Sequence, residues 1–163
     1  MSEEVGFSTL RSGFNQAARR FEDARLRTNR EATYFALFES LNWAVALDEY
    51  VSENWFPDGV SLKWKWRDHV DGEGGEIVRG VRFARNRVHH QWADAVRCST
   101  GGFQFPIVAP IVSHEWCWRS ADSLPTSDKN SGIKQYETHL SQRPVRTTLS
   151  ALRSVYWAIQ VEK

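Results

Sequence analysis

The sequence predicts an all-α fold, an antiparallel four-helix up-and-down bundle with a small β-hairpin or extended insertion between its third and fourth helices. Three observations predict it. Four long stretches carry apolar residues at three- and four-residue spacing, the glycine and proline clusters fall between them, and only Phe103 to Trp118 switches to a Val-, Ile- and aromatic-rich composition. A chain of 163 residues is one domain, 1–163, long enough to bury a core without disulfide or metal staples, with the insertion at about 99–132.

The first helix covers Phe7 to Arg27, where Leu10, Phe14, Ala17, Phe21 and Ala24 recur between Arg and Glu residues. Thr28-Asn29 either ends it or caps the next helix. The second, Ala32 to Ser52, is rich in Ala, Leu and Glu and free of Gly and Pro, with Phe35, Phe38, Leu41, Val45 and Val51 among its apolar positions. Asn54 to Gly75 breaks the pattern. Pro57-Asp58-Gly59 and Asp71-Gly72-Glu73-Gly74-Gly75 read as loop, and Leu62-Lys63-Trp64-Lys65-Trp66, in period two, reads as at most a short extended piece. Glu76 to Val96 returns to helix, its apolar residues (Ile77, Val78, Val81, Ala84, Val88, Trp92, Ala95, Val96) falling on one arc about 120° wide. Ser99-Thr100-Gly101-Gly102 stops it. Pro106 and Pro110 confine the next segment to edge strands or an extended arm, and Ser120 to Gly132 is polar surface loop. A short turn at Lys134 to Leu140 and a break at Pro144 precede the last helix, Val145 to Val161, with Leu149, Leu152, Val155, Tyr156 and Ile159 on its buried face.

Composition narrows the function classes. Hydrophobic content of 41% with eight Trp argues for a packed globular chain rather than disorder. A net charge of +1 gives no whole-molecule attraction to nucleic acid, so any such binding must come from a local patch. Cys98 and Cys117 make no disulfide framework and no CxxC or CxxH metal spacing, which suits a reduced, cytoplasmic setting. The N-terminus has neither a basic nor an apolar leader region, and no run is long enough to span a bilayer; secretion and membrane insertion are disfavoured.

Chemistry concentrates in Arg85-Asn86-Arg87-Val88-His89-His90, within two turns of the third helix. On a helical wheel Arg85 sits at the edge of the apolar stripe, with His89 about 40°, Asn86 about 100° and His90 about 140° beyond it. Histidine accepts and donates protons near neutrality, arginine offers a non-titrating fork to phosphate, and a carboxamide orients either by hydrogen bonding without adding charge. Together they suit cleavage of RNA through attack of the 2′-OH, with charge developing on the phosphorane. The competing reading is a solvated helix face with an adventitious His pair.

The same residues resemble the Arg-x4-6-His motif of the HEPN superfamily (higher eukaryotes and prokaryotes nucleotide-binding), matched by Arg85, Asn86 and His90 with four residues between Arg and His. The resemblance implies a small helical bundle that dimerises, carries its motif near the start of a late helix and, in many members, acts as a metal-independent ribonuclease in toxin or defence systems. On that expectation Arg85, Asn86 and His90 are catalytic and His89 is a second candidate imidazole. Arg82, Arg79 and Arg87 extend a phosphate track for RNA, and the site is completed by a second copy of the chain. No cofactor or metal is implied, and an antitoxin or nucleotidyltransferase is the expected controlling partner.

Glu39 and Asn42 on the second helix lie where a bundle would bring them near the site, although simple exposure is the competing expectation. His89, His90 and Asp94 form only a nominal cation site, and no Glu-x-x-His or HExxH spacing exists. Trp64 and Trp66 among Lys63, Lys65 and Arg67 have the make-up of a base-stacking, phosphate-holding surface, or of a half-buried strand with Trp packed inward. The alternative to the ribonuclease is a non-catalytic helical protein, a phage or mobile-element modulator, that binds a partner protein through Phe103 to Trp118 with Trp116 and Trp118 as anchors.

Overall fold

The computed structural model describes residues 6–27, 29–55, 62–91, 95–103, 111–125 and 131–159. Most of them are helical: α1 (Phe7–Leu26), α2 (Arg30–Asn54), α3 (Gly74–Gln91), α4 (Ile133–His139) and α5 (Val145–Ala158). A 3₁₀ segment, Lys63–His69, joins α2 to α3. A two-stranded antiparallel hairpin, β1 (Val96–Phe103) and β2 (Ile111–Trp118), follows α3, and a shorter 3₁₀ turn, Ala121–Ser123, leads towards α4. The chain is thus mostly helical with one small sheet, and that sheet stands between the third and the last long helix as expected. No helix among the described residues is long and apolar enough to cross a membrane.

Asn29 makes the first corner. Its Oδ1 accepts a hydrogen bond from the Ala32 amide at 3.0 Å, so it caps α2 instead of ending α1. α1 lies along α2, α3 packs on α2 and α4, and α5 touches α1, α2 and α3. Tyr156 of α5 sits at the centre of that meeting, fully buried. Its hydroxyl donates to the Ala44 carbonyl of α2 at 2.8 Å, and its ring lies 6.1 Å from Phe14 of α1 and 6.3 Å from Trp66. Phe21, Leu41, Leu47, Val81 and Leu152 belong to the same buried cluster.

Three boundaries differ from expectation, each because tertiary burial overrides local pattern. The Lys63–His69 stretch is a 3₁₀ helix, not an extended piece, and of its two Trp only Trp66 is buried. In a 3₁₀ helix residues three apart eclipse, which stacks Trp64 and Arg67 with a guanidinium-to-ring distance of 5.0 Å. α3 ends at Gln91, and the hairpin begins at Val96, so Ser99 to Gly102 belong to a strand and do not stop a helix. Val96 pairs with Trp118 and both are buried; the helical spacing that included Ala95 and Val96 was coincidental. Trp116 and Trp118 are 3% and 0% exposed, so they are core residues and not surface anchors. Trp118 donates its indole N–H to Thr148 Oγ1 at 2.9 Å and exchanges backbone hydrogen bonds with Gln142 and Arg143, which fastens β2 to the start of α5. Cys98 and Cys117 are both free, and the register, Cys98 opposite Trp116 and Cys117 opposite Arg97, turns them to opposite faces of the hairpin. The expected turn at Pro57-Asp58-Gly59, the two prolines of the hairpin loop and Val161 lie outside the described residues.

Gly75 allows the 3₁₀ segment to press on the first turn of α3. A Cβ there would stand 1.9 Å from the Arg67 carbonyl oxygen. Gly75→Ala is expected to lower unfolding free energy by at least about 1–3 kcal/mol, the range for overpacking, read as a lower urea midpoint at unchanged m-value.

Candidate functional site

α3 carries the motif, and its faces decide what each residue can do. Val78, Val81, Ala84 and Val88 are buried along the expected stripe. A second buried face opposes it, because α4 packs on the other side: Phe83 lies 5.1 Å from the Tyr136 ring. Arg87, one turn after Phe83, is on that second face. It is 4% exposed, with its guanidinium 4.7 Å from the Phe83 ring. The expectation that Arg87 continues a phosphate track therefore fails on burial: its side chain covers an aromatic ring inside the fold. What remains between the two buried faces is a narrow strip of Arg79, Arg82 and Asn86, with Arg85 at its margin.

Arg85 is held by neutral amides. Its Nε donates to Asn42 Oδ1 of α2 at 3.1 Å and its Nη1 approaches Asn86 Oδ1 at 3.4 Å. Among the described residues no carboxylate pairs with it, and its two partners are carboxamide oxygens. Asn42, expected to be simply exposed, is thus part of the site; Glu39 is not, since it pairs with Arg20 at 2.5 Å. His89 and His90 occupy the last helical positions before Gln91, His89 one turn beyond Arg85 and His90 one turn beyond Asn86. Their side chains, and all of Asp94, lie outside the described residues. The motif occupies the end of the third long helix, not the start of a late one.

The other arginines are in a different state. Asp48 of α2 is 1% exposed and accepts from Trp66 Nε1 at 3.1 Å, Arg67 Nε at 2.8 Å, Arg67 Nη2 and Arg82 Nη1 at 2.9 Å. Arg82 Nη2 also reaches Glu49 at 3.1 Å, and Arg79 bridges Asp68 and Glu76. Arg82 and Arg79 thus lie on the strip as expected but with their charge balanced. Both line a cleft of about 330 Å³ with Arg67 and Asn86 on one wall and Ser131 and Gln135 on the other. Gly132, at φ 86°, sets the second wall: a Cβ there would stand 2.6 Å from the Arg79 carbonyl oxygen. A larger hollow of about 430 Å³ opens elsewhere, between α1 and α2, around Phe35.

Asp48 is not among the residues that sequence motifs single out, although its spacing carries a signal: it is a carboxylate four residues after Ala44 and seven after Leu41, the one charged residue on the buried face of α2. Burial and then the Asp48 charge push the Tyr156 hydroxyl well above the ordinary tyrosine value, which keeps it a neutral donor.

Asp48→Ala leaves Arg67, Arg82 and the Trp66 indole N–H without their acceptor, and is expected to cost about 3–5 kcal/mol in denaturant unfolding. At the cleft rim, the hydrogen bond from Arg79, and then its charge, hold the Asp68 carboxyl below the ordinary aspartate value. The pair's contribution is present above the ordinary aspartate range and is lost as pH falls through the depressed value. An NMR titration should find the Asp68 midpoint low in the native chain and raised in Arg79→Gln; equal midpoints would mean that the two groups do not pair in solution. No protein-family model, no curated protein and no solved structure matches this chain.

Proposed function

We propose that the chain is a HEPN-like four-helix protein that works as a metal-independent endoribonuclease of toxin or defence type, cutting RNA at a site shared between two copies. The observation that carries the reading is the state of Arg85. It is fixed by two carboxamides, Asn42 and Asn86, and among the described residues it has no carboxylate partner, beside the helix positions of His89 and His90. A guanidinium held that way keeps its charge for a phosphate, whereas Arg67, Arg79 and Arg82 have spent theirs on carboxylates. His90 is then the general acid/base, Arg85 the ligand of the phosphorane, and Asn86 with Asn42 the groups that orient the fork.

A second copy finds support in the surface beside the site. Phe35, Phe38 and Asn42 follow one another at three- and four-residue spacing on α2, and Phe35 is 60% exposed, so an apolar strip leads to the residue that holds Arg85. Covering that strip with the same strip of a second chain faces two Arg85/His90 sets across one cleft. The other reading, a partner-protein binder anchored by Trp116 and Trp118, loses its anchors to the core.

Purified protein should cut single-stranded RNA in the presence of a chelator and sediment as a dimer. His90→Ala is expected to slow cleavage about 10²–10⁴-fold and Arg85→Ala about 10²–10³-fold, with thermal unfolding unchanged. Asn42→Ala, which removes one orienting hydrogen bond, should cost roughly tenfold. Wild-type protein that leaves RNA intact, alone and with the product of its neighbouring gene, would count against the enzyme, as would unaltered rates in His90→Ala.

A further inference from the structure

A second surface departs from the charge balance of the rest of the chain. On α1 the residues from Phe7 to Arg20 include no carboxylate, and α5 has none between Val145 and Ala158. Where the two helices meet, a cleft of about 350 Å³ has Ser8, Arg11, Ser12, Asn15, Arg19 and Trp157 in its lining. Arg153 is exposed one turn before Trp157. Among the described residues none of Arg11, Arg19 and Arg153 meets a carboxylate, whereas Arg146, at the far end of α5, meets Glu115. The cleft beside Asn86 differs because its arginines are paired, and so does the hollow around Phe35, whose rim holds Asp23 and Glu39. With a net charge of only +1 on the whole chain, this face is a local surplus of the kind that nucleic acid requires.

Arg11 holds its guanidinium 4.8 Å from the Trp157 ring centroid and 5.7 Å from that of Phe7. Two aromatic contacts fix the fork without neutralising it, and its N–H edges keep their hydrogen bonds to give. Arg19 lies about two turns further along α1, about 12 Å from Arg11 along the axis, so the two meet different phosphates of a strand. Trp157 is 69% exposed. An isolated exposed tryptophan needs no explanation, but one that shares a cleft with carboxylate-free arginines has the make-up of a base-stacking site. Each contact uses a separate group: the indole takes a base, and the guanidinium edges take phosphates.

We infer that the α1/α5 face binds single-stranded nucleic acid, with Arg11, Arg19 and Arg153 on phosphates of the strand and Trp157 stacked on one of its bases. A duplex keeps its bases stacked on one another and leaves the indole nothing to cover. An anionic bilayer is recognised by about four to eight clustered basic residues, more than this face holds. A protein partner would need a cluster of apolar anchors, and Trp157 is the one large apolar side chain exposed here. α1 and α5 contribute nothing to the Arg85 site, so the two surfaces act independently; in a ribonuclease this one holds the strand away from the scissile phosphate.

Fluorescence anisotropy tests the surface, using full-length His90→Ala protein and labelled oligouridylate RNA or oligothymidylate DNA of about twelve nucleotides. Trp157→Ala should weaken binding about tenfold and leave its salt dependence unchanged. Arg11→Gln and Arg19→Gln should each make the plot of log affinity against log salt shallower by about 0.7, the value for one phosphate contact of a single strand. Circular dichroism checks the fold; Arg19 and Trp157, both exposed, carry the test even if Arg11→Gln unfolds. The tighter of the two probes names the strand that the face takes, and dependence of either on Trp157 and Arg19 upholds the surface. Binding indifferent to both substitutions, a duplex of equal length bound as tightly, or phosphatidylserine vesicles captured in place of either strand overturns it. Binding that depends on Arg19 and Trp157, in a protein whose wild type leaves RNA intact, upholds the surface and removes the ribonuclease. RNA cleavage with KM and anisotropy both unmoved by the same substitutions does the reverse.

Discussion

The Asp48 carboxylate sits where α2, the 3₁₀ segment and α3 meet, and it accepts hydrogen bonds from Trp66, Arg67 and Arg82 while almost wholly removed from water. Taking a carboxylate out of water costs several kcal/mol, and only near-complete satisfaction of its lone pairs offsets that. Here both oxygens are occupied, one by the Trp66 indole and Arg67, the other by both guanidiniums. An apolar residue in place of Asp48 would face no such penalty, but it would also lose the directionality. The four hydrogen bonds fix the 3₁₀ segment against α3 at one register, and Gly75 removes the Cβ that would hold it off.

Much of the surface chemistry follows from that clamp. It brings the Arg67 and Arg82 guanidiniums to 5.0 Å and 4.8 Å from the Trp64 ring centroid. Among the described residues Arg67, Arg79 and Arg82 meet carboxylates, whereas neutral amides orient Arg85 and Arg87 lies over the Phe83 ring. A guanidinium paired to carboxylate can still donate hydrogen bonds but contributes little field; one held by amides contributes both.

The helices were legible in the chain because their signals are local. Apolar spacing in Phe7 to Arg27 and Ala32 to Ser52, the carboxamide of Asn29 before α2 and the proline before α5 each act within a few residues, and the structure ends or begins the corresponding elements there. The Arg85–His90 cluster was equally readable, since a helix fixes which of its residues stand one turn apart. Where the reading failed, a distant partner had decided. Val96 entered a strand because Trp118 covers it; Arg87 went inward because α4 supplies a second packing face that the wheel of α3 alone does not show; the Trp64–Trp66 alternation became a 3₁₀ turn because Asp48 draws in Trp66 and Arg67 together.

By itself, then, the sequence determined where the long helices run, one apolar stripe on each, and that arginine, amide and imidazole share two turns of one helix. Tertiary structure alone decided which of these arginines meet a carboxylate and which meets an amide. That choice depends on pairings between residues far apart in the chain, Asp48 with Arg82 and Asn42 with Arg85, and helical periodicity carries no information about which side chain of one helix will face which of another.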